Sequence, residues 1–238
     1  MFQPGERVLV AVSGGKDSLA LWDVLHRLGF PADGLYIHLG IRGEFDYSSA
    51  SEQAARRFAE ARGLNLSVVN IQETYGQDIA ALAGRQRRDT LKPCSVCGLV
   101  KRRVMNQAAA EGGYAALATG HNLDDEAAVL LANTMEWKSE MLRRQSPVLA
   151  GGAGFARKVK PFCRFYERDT AAYALLAGID YIEEECPFSD DSKQLEWKGV
   201  LNRWEDEHPG RKFQFYINFL HARKAGLFWG VSLKASKQ

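Results

Sequence analysis

Up to Met135, short apolar runs alternate with longer segments whose apolar residues recur every three or four positions. Residues 7–12 (RVLVAV) form a continuous apolar run, the pattern of a central strand buried on both faces of a parallel sheet. Leu19, Leu21, Val24, Leu25 and Leu28 then follow helical spacing. Residues 34–39 (GLYIHL) read as a second strand and residues 47–62 as a helix closed by Gly63 at its C-cap. Residues 64–71 (LNLSVVNI) read as a third strand. A helix is predicted over 94–111, stopping at Gly112-Gly113, then a short strand over 115–119 and a helix over 123–135.

Strand and helix alternating through short connections predict an α/β fold with a doubly wound parallel sheet. Such sheets bind ligands at the carboxyl ends of their strands. After Met135 the pattern weakens: residues 151–154 mark a glycine loop, 169–178 a helix and 181–185 a last strand. Residues 192–227 predict two helices broken near Pro209-Gly210, and no internal repeat appears. The expected organisation is one α/β domain over 1–190 and a helical, basic C-terminal extension over 191–238.

Composition refines this picture only modestly. With 46% hydrophobic and 25% charged residues the chain is of the globular type, and no stretch is long enough to span a membrane. The N-terminus lacks the layout of a signal peptide, so a cytoplasmic location without a membrane partner is the expectation. A net charge of +2 says little, but its distribution is uneven. Arg85, Arg87, Arg88, Lys92, Lys101, Arg102 and Arg103 stand against a single acid, Asp89. Arg211, Lys212, Arg223, Lys224, Lys234 and Lys237 form a second basic stretch. Each run alone reads as a solvated face; together, flanking the candidate chemistry, they favour a polyanion.

Ser13-Gly14-Gly15-Lys16-Asp17-Ser18 joins the first strand to the first helix. Paired glycines let backbone N–H groups close around phosphate oxygens, and the helix N-terminus adds partial positive charge. Ser13 and Ser18 offer hydroxyl donors, and Lys16 offsets phosphate charge. The spacing is neither a Walker loop nor a GxGxxG.

Cys94 and Cys97 form a CxxC entering a helix, where the dipole lowers thiol pKa. Two thiolates do not hold a cluster; the remaining cysteines, Cys163 and Cys186, compete for a third position, and Cys163 after Phe162 also fits a buried apolar role. Structural zinc would want four ligands, and a redox dithiol belongs after the first strand of its own fold. Gly120-His121-Asn122-Leu123-Asp124-Asp125-Glu126 follows the fourth strand. Its acids suit Mg²⁺ or proton handling, and equally a helix N-terminus decorated with acids.

SGGKDS resembles the pyrophosphate loop of the N-type, or PP-loop, ATP pyrophosphatases, whose wider class comprises the HUP, adenine nucleotide alpha-hydrolase-like folds. With CSVCGLVKRRVMN and ATGHNLDDEA, residues 5–190 resemble the tRNA 2-thiolation family within it, closest to the thiouridine synthetases, with the cytidine thiolases less similar. The resemblance implies an ATP-dependent sulfurtransferase that adenylates a pyrimidine C2 oxygen in tRNA and replaces it with sulfur. It implies Cys94, Cys97 and Cys186 as ligands of a [4Fe-4S] cluster with one iron open. ATP with Mg²⁺ would contact Ala11, Val12, Ser13, Gly14, Gly15, Lys16, Asp17, Ser18, Ile37, His38, Lys101 and Gly120. Asp125 is the implied acid or base, with Asp124 as alternate, and Lys101, on Cys97's side of the helix, bridges cluster and α-phosphate.

The implied partners are tRNA and either sulfide or a sulfur-carrier protein; family members often pair as homodimers. Thiouridine synthetases usually carry zinc fingers at both ends, which this sequence lacks, so a small-molecule acceptor or a non-catalytic nucleotide- or cluster-sensing module are alternatives. The aromatics Trp197, Trp204, Phe213, Phe215 and Tyr216 either replace those fingers or form a small core.

Overall fold

A computed structural model describes residues 1–43, 45–84, 93–152, 154–188 and 193–226. The chain runs β1 (Val8–Val12), α1 (Lys16–Arg27), β2 (Ala32–His38), α2 (Tyr47–Arg62), β3 (Leu66–Asn70), α3 (Ile71–Tyr75) and α4 (Ile79–Gly84). It continues through α5 (Pro93–Glu111), β4 (Ala116–Thr119), α6 (Leu123–Met135), α7 (Ser139–Arg144), β5 (Val148–Leu149) and β6 (Lys158–Val159). Three helices close it: α8 (Glu167–Leu176), α9 (Lys193–Glu207) and α10 (Arg211–Lys224).

The strands form one sheet in the order β3-β2-β1-β4-β6-β5, parallel throughout except for the antiparallel β5–β6 edge pair. Alternation along β1 sends successive side chains to opposite faces. Val8, Val10 and Val12 pack with Leu19, Trp22 and Leu25 of α1, Phe58 of α2 and Ala174 of α8. Leu9 packs on the other side with Leu35, Leu117 and Ala109 of α5. Helices on both faces explain why the strand reads as uninterrupted apolar sequence. Each Leu or Val so buried contributes about 1.5–3 kcal/mol against the entropy of ordering the chain.

From β1 the chain winds outward through β2 to β3, then returns to β4 on β1's other side. The reversal opens a crevice at the carboxyl ends of β1 and β4, the place where this architecture binds ligands. The SGGKDS loop and the Gly120–His121 turn both emerge there.

Helices α2 and α6 match the predicted bounds, and Gly63 closes α2 in the left-handed conformation at φ 63°. The strand expected over 181–185 is absent. That segment crosses the first loop instead, with Ile182 N–H donating to Gly14 O at 3.0 Å. Its three glutamates do not suit a sheet edge, and the place beside β4 is taken by Lys158–Val159. A two-residue strand with one apolar side chain gives no run to detect.

Helices α9 and α10 pack on α6. Leu201 joins Ala127 and Ala128, with Trp197 and Phe215 beside them, and Tyr216 and Phe219 join Leu123 and Leu130. Three of the five C-terminal aromatics thus serve a core, while Trp204 and Phe213 stay partly exposed. The basic residues 85–92 and 227–238 lie outside the described residues. Lys212 is no polyanion contact, being only 3% exposed.

Candidate active site

The loop after β1 is braced from within. Ser13 N–H donates to Ser18 Oγ at 3.0 Å, and Ser18 Oγ donates to Gly15 O at 3.0 Å. Ser18 is buried and committed inside the loop, which leaves Ser13, Gly15, Lys16 and Asp17 facing the crevice. Gly14 adopts φ +80°, and a Cβ there would stand 2.4 Å from Ser51 O. Only glycine meets both demands. Gly15 caps α1 with no side-chain hydrogen bond, so the first-turn N–H groups are not closed by a cap and suit an anion. Gly120 lets the β4 turn approach the same loop: a Cβ would lie 2.9 Å from Asp17 O and Ser18 N.

Two spaces that share Ser13 and Tyr47 in their linings flank the loop. One, of about 110 Å³, is mostly apolar and is lined by Ala11, Val12, Ser13, Ile37, Tyr47 and Lys101 among others. The larger, of about 560 Å³, runs from Ser13, Lys16 and Asp17 past Asp125 and Lys198 to Glu183 and Cys186. Of the expected nucleotide residues, Ser13, Gly15, Lys16 and Asp17 line the larger space and Ala11, Val12, Ser13, Ile37 and Lys101 the smaller, while Gly14, Ser18, His38 and Gly120 line neither. His38 sits at the end of β2 with Nδ1 buried and without a hydrogen-bond partner among the described residues.

The charged groups of the crevice form one network. Lys16 Nζ lies 3.1 Å from Asp17 and 2.7 Å from Glu167. Lys198 Nζ lies 2.7 Å from Asp125 and 3.1 Å from Glu167. Asp17 also accepts from the Thr170 hydroxyl. Burial opposes the charge of Lys16, but Glu167 and Asp17 outweigh it and raise the pKa. Burial likewise opposes Lys198, and Asp125 and Glu167 raise it further. Burial pushes His121 down to about 3, assisted by Lys158, Lys160 and Lys198, so its ring is neutral near pH 7.

Asp124 and Asp125 part company. Asp125 lines the crevice, and its Oδ2 accepts Asn122 N–H at 3.1 Å in a capping box that fixes the start of α6. Asp124 points the other way. Its carboxylate accepts from Lys212 Nζ at 2.5 Å and from Glu167 N–H at 2.7 Å, and only 5% of the residue is exposed. It fastens α6 to α8 and α10 and is not among the residues lining the crevice, so of the two expected acids it is Asp125 that faces it.

Cys186 lines the far end of the larger space. Cys97 and Cys186 pack together with Tyr47, Val100 and Phe188, and Cys94 Sγ donates to Phe188 O at 3.0 Å. Burial pushes the Cys97 thiol up, the Lys101 ammonium beside it pulls down, and Cys186 and Cys94 push up again. Cys163 is elsewhere, 2% exposed beside Leu123 and Tyr216. Among the described residues no three His, Cys, Asp or Glu side chains converge on a single-ion site. A cluster spreads its cysteines over separate irons, so this donor set of three thiols from two segments, with a cation beside one of them, fits it.

Lys198, Glu167 and Thr170 were not singled out by sequence motifs, and Lys212 only as one of a basic stretch. They sit 31–88 positions or more from their partners, on helices whose local pattern reports only solvated or packed faces.

A doubly wound sheet with a glycine-rich anion loop after β1, an acidic turn after β4 and a cysteine lining the crevice defines a PP-loop protein of the HUP class. The chain belongs to the tRNA 2-thiolation family of that class. A family model described as tRNA methyl transferase HUP domain matches residues 6–151. The tRNA-5-methyluridine(54) 2-sulfurtransferase of Thermus thermophilus is 53% identical over 223 residues, 92% of this chain and 67% of that protein. Its counterpart from Pyrococcus horikoshii is 45% identical over 219 residues, 92% of this chain and 68% of that one. Among solved structures, the U34-tRNA thiolase NcsA from Methanococcus maripaludis with its [4Fe-4S] cluster superposes with a TM-score of 0.79 at 26% identity, covering 93% of this chain and 73% of that one. No described helix is long and apolar enough to cross a membrane.

Proposed function

We propose that this chain is an ATP-dependent tRNA 2-sulfurtransferase acting on the C2 oxygen of 5-methyluridine at position 54, the base that its relatives' names give. The observation that carries the reading is the continuity of one crevice from the phosphate loop at Ser13, past Asp125, to Cys186.

In this reading the backbone of Ser13, Gly14 and Gly15 and the α1 N-terminus receive the β- and γ-phosphates, with Ser18 bracing the loop. Ile37 and His38 border the adenosine, and Gly120 brings the β4 turn against it. Asp17 and Asp125 are the carboxylates that would hold Mg²⁺, which would supply charge neutralisation at the phosphates, since it prefers carboxylate and phosphate oxygens. The C2 oxygen of the base attacks the α-phosphorus, and pyrophosphate leaves along Lys16. Lys101 neutralises charge at the α-phosphate, and Asp125 holds or moves the proton of the reacting base. Cys94, Cys97 and Cys186 would hold a [4Fe-4S] cluster, which when bound supplies a sulfur nucleophile. AMP then departs from C2, leaving a 2-thio base. In this reading residues 1–190 are the catalytic domain and 191–238 an extension whose described part is the helix pair α9 and α10.

The test is an anaerobic reconstitution with ATP, sulfide and tRNA that carries 5-methyluridine, not yet thiolated, at position 54. The expected products are 5-methyl-2-thiouridine, AMP and pyrophosphate. Pyrophosphate release with no thionucleoside, in protein with a full complement of iron, would overturn the assignment.

A further inference from the structure

Glu167 joins two lysines that border the crevice, while it is not itself among the residues lining it. Lys16 Nζ stands 2.7 Å from Oε1 and Lys198 Nζ 3.1 Å from Oε2. One lysine comes from the phosphate loop and the other from α9, more than 180 positions later. Both ammoniums are largely buried, at 23% and 16% exposure, so neither is a solvated surface charge. Lys198 is held in place twice over. Asp125 pairs with it at 2.7 Å, and the helix that carries it is packed on α6 through Leu201 and Trp197.

Three carboxylates, from Asp17, Asp125 and Glu167, surround these two cations. Asp17 and Asp125 each pair with one ammonium, and Glu167 alone is shared by both, so it is the anion a bridging ligand would have to replace. Pyrophosphate carries more charge and more acceptor oxygens, and two lysines can bridge it as they bridge Glu167.

Resting on the nucleotide reading of the crevice, we propose that Lys198 is a second phosphate-binding cation, delivered from the C-terminal helix pair. Glu167 is its built-in counter-ion, which holds both ammoniums until the pyrophosphate portion of the nucleotide takes them over. The extension is thereby part of the phosphate site. Whatever displaces α9 from α6 also withdraws a cation from the leaving group.

The experiment is calorimetric titration of inorganic pyrophosphate into the purified full-length protein, with the KM for ATP read from pyrophosphate release. Lys198→Met is expected to weaken pyrophosphate binding by at least about tenfold, the loss of one charge-assisted contact, and Lys198→Arg to keep most of the affinity. Glu167→Gln is expected to strengthen binding severalfold, because it removes a competing anion at nearly constant shape. A thermal melt accompanies each variant; should Lys198→Met not fold, the Arg and Gln variants still decide. Wild-type affinity in a folded Lys198→Met protein, or weakened binding in Glu167→Gln, overturns the proposal. If the wild-type protein binds neither pyrophosphate nor ATP, the reading of the crevice falls too.

Discussion

Replacing Lys212 by methionine separates the two neighbouring acids of the β4 turn by experiment. Lys212 Nζ lies 2.5 Å from both Asp124 Oδ1 and Asn202 Oδ1, and the paired side chains are 3% and 7% exposed. Methionine fills nearly the same volume but leaves the Asp124 carboxylate with the Glu167 N–H as its remaining donor. Breaking one side of a buried ion pair costs about 3–5 kcal/mol, because the surviving charge stays desolvated and uncompensated. For a protein of 238 residues each kcal/mol corresponds to roughly 2–4 °C in Tm, so Lys212→Met should melt roughly 6–20 °C below wild type. Asp124→Leu combined with Lys212→Met should recover more than half of that loss, since no charge is then left alone. The assay is a pair of urea and thermal melts on wild type, both singles and the double. A Lys212→Met protein within about 2 °C of wild type would refute the structural role given to Asp124 and return it to the candidates for chemistry.

Three further outcomes follow from other parts of the structure. Alanine at Cys94, Cys97 or Cys186 should lower iron content and abolish thiolation, whereas Cys163→Ala should keep its iron and cost only about 1 kcal/mol as a small cavity; iron loss on Cys163→Ala would contradict the assignment. Gly120→Ala places a Cβ 2.9 Å from the Asp17 backbone, and the forced shift of about 1–3 kcal/mol should raise the KM for ATP without changing iron content; an unchanged KM would show that the turn tolerates the displacement. Burial pushes the Asp23 carboxyl up, but the Tyr173 hydroxyl, Arg62 and Arg27 outweigh this and hold it below its ordinary value of 3.8. Its contribution is therefore complete above that value and is lost as pH falls through the lowered one, so Asp23→Asn should flatten the acid limb of a stability–pH curve, and an unaltered limb would rule Asp23 out as its source.

The apolar runs that became β1 to β4 were legible because a strand covered on both faces has no polar alternation to hide it. The crevice followed from those strands, since the two motifs fell at their carboxyl ends. The edge of the sheet was not legible: β6 is two residues long, and its lysine and valine give no period. Residues 181–185 show the opposite error, where Tyr-Ile followed by three glutamates resembles a strand but is held by one backbone bond to Gly14. The site divides in the same way. The glycine loop and the CxxC announce themselves by spacing and Cys186 and Asp125 enter through the family resemblance, whereas Lys198, Glu167 and Lys212 acquire meaning only when α8, α9 and α10 fold back onto α6. Sequence likewise treats Asp124 and Asp125 as a pair; the helical turn between them sends one to the crevice and the other to a buried lysine.

The most direct test of the central claim is a mass-spectrometric inventory of tRNA nucleosides from the host with the gene intact, deleted, and restored as wild type or Cys186→Ala. The account predicts that 5-methyl-2-thiouridine disappears on deletion, with 5-methyluridine rising in its place, and returns only with the wild-type gene. An unchanged thionucleoside profile on deletion, or full restoration by Cys186→Ala, would contradict it.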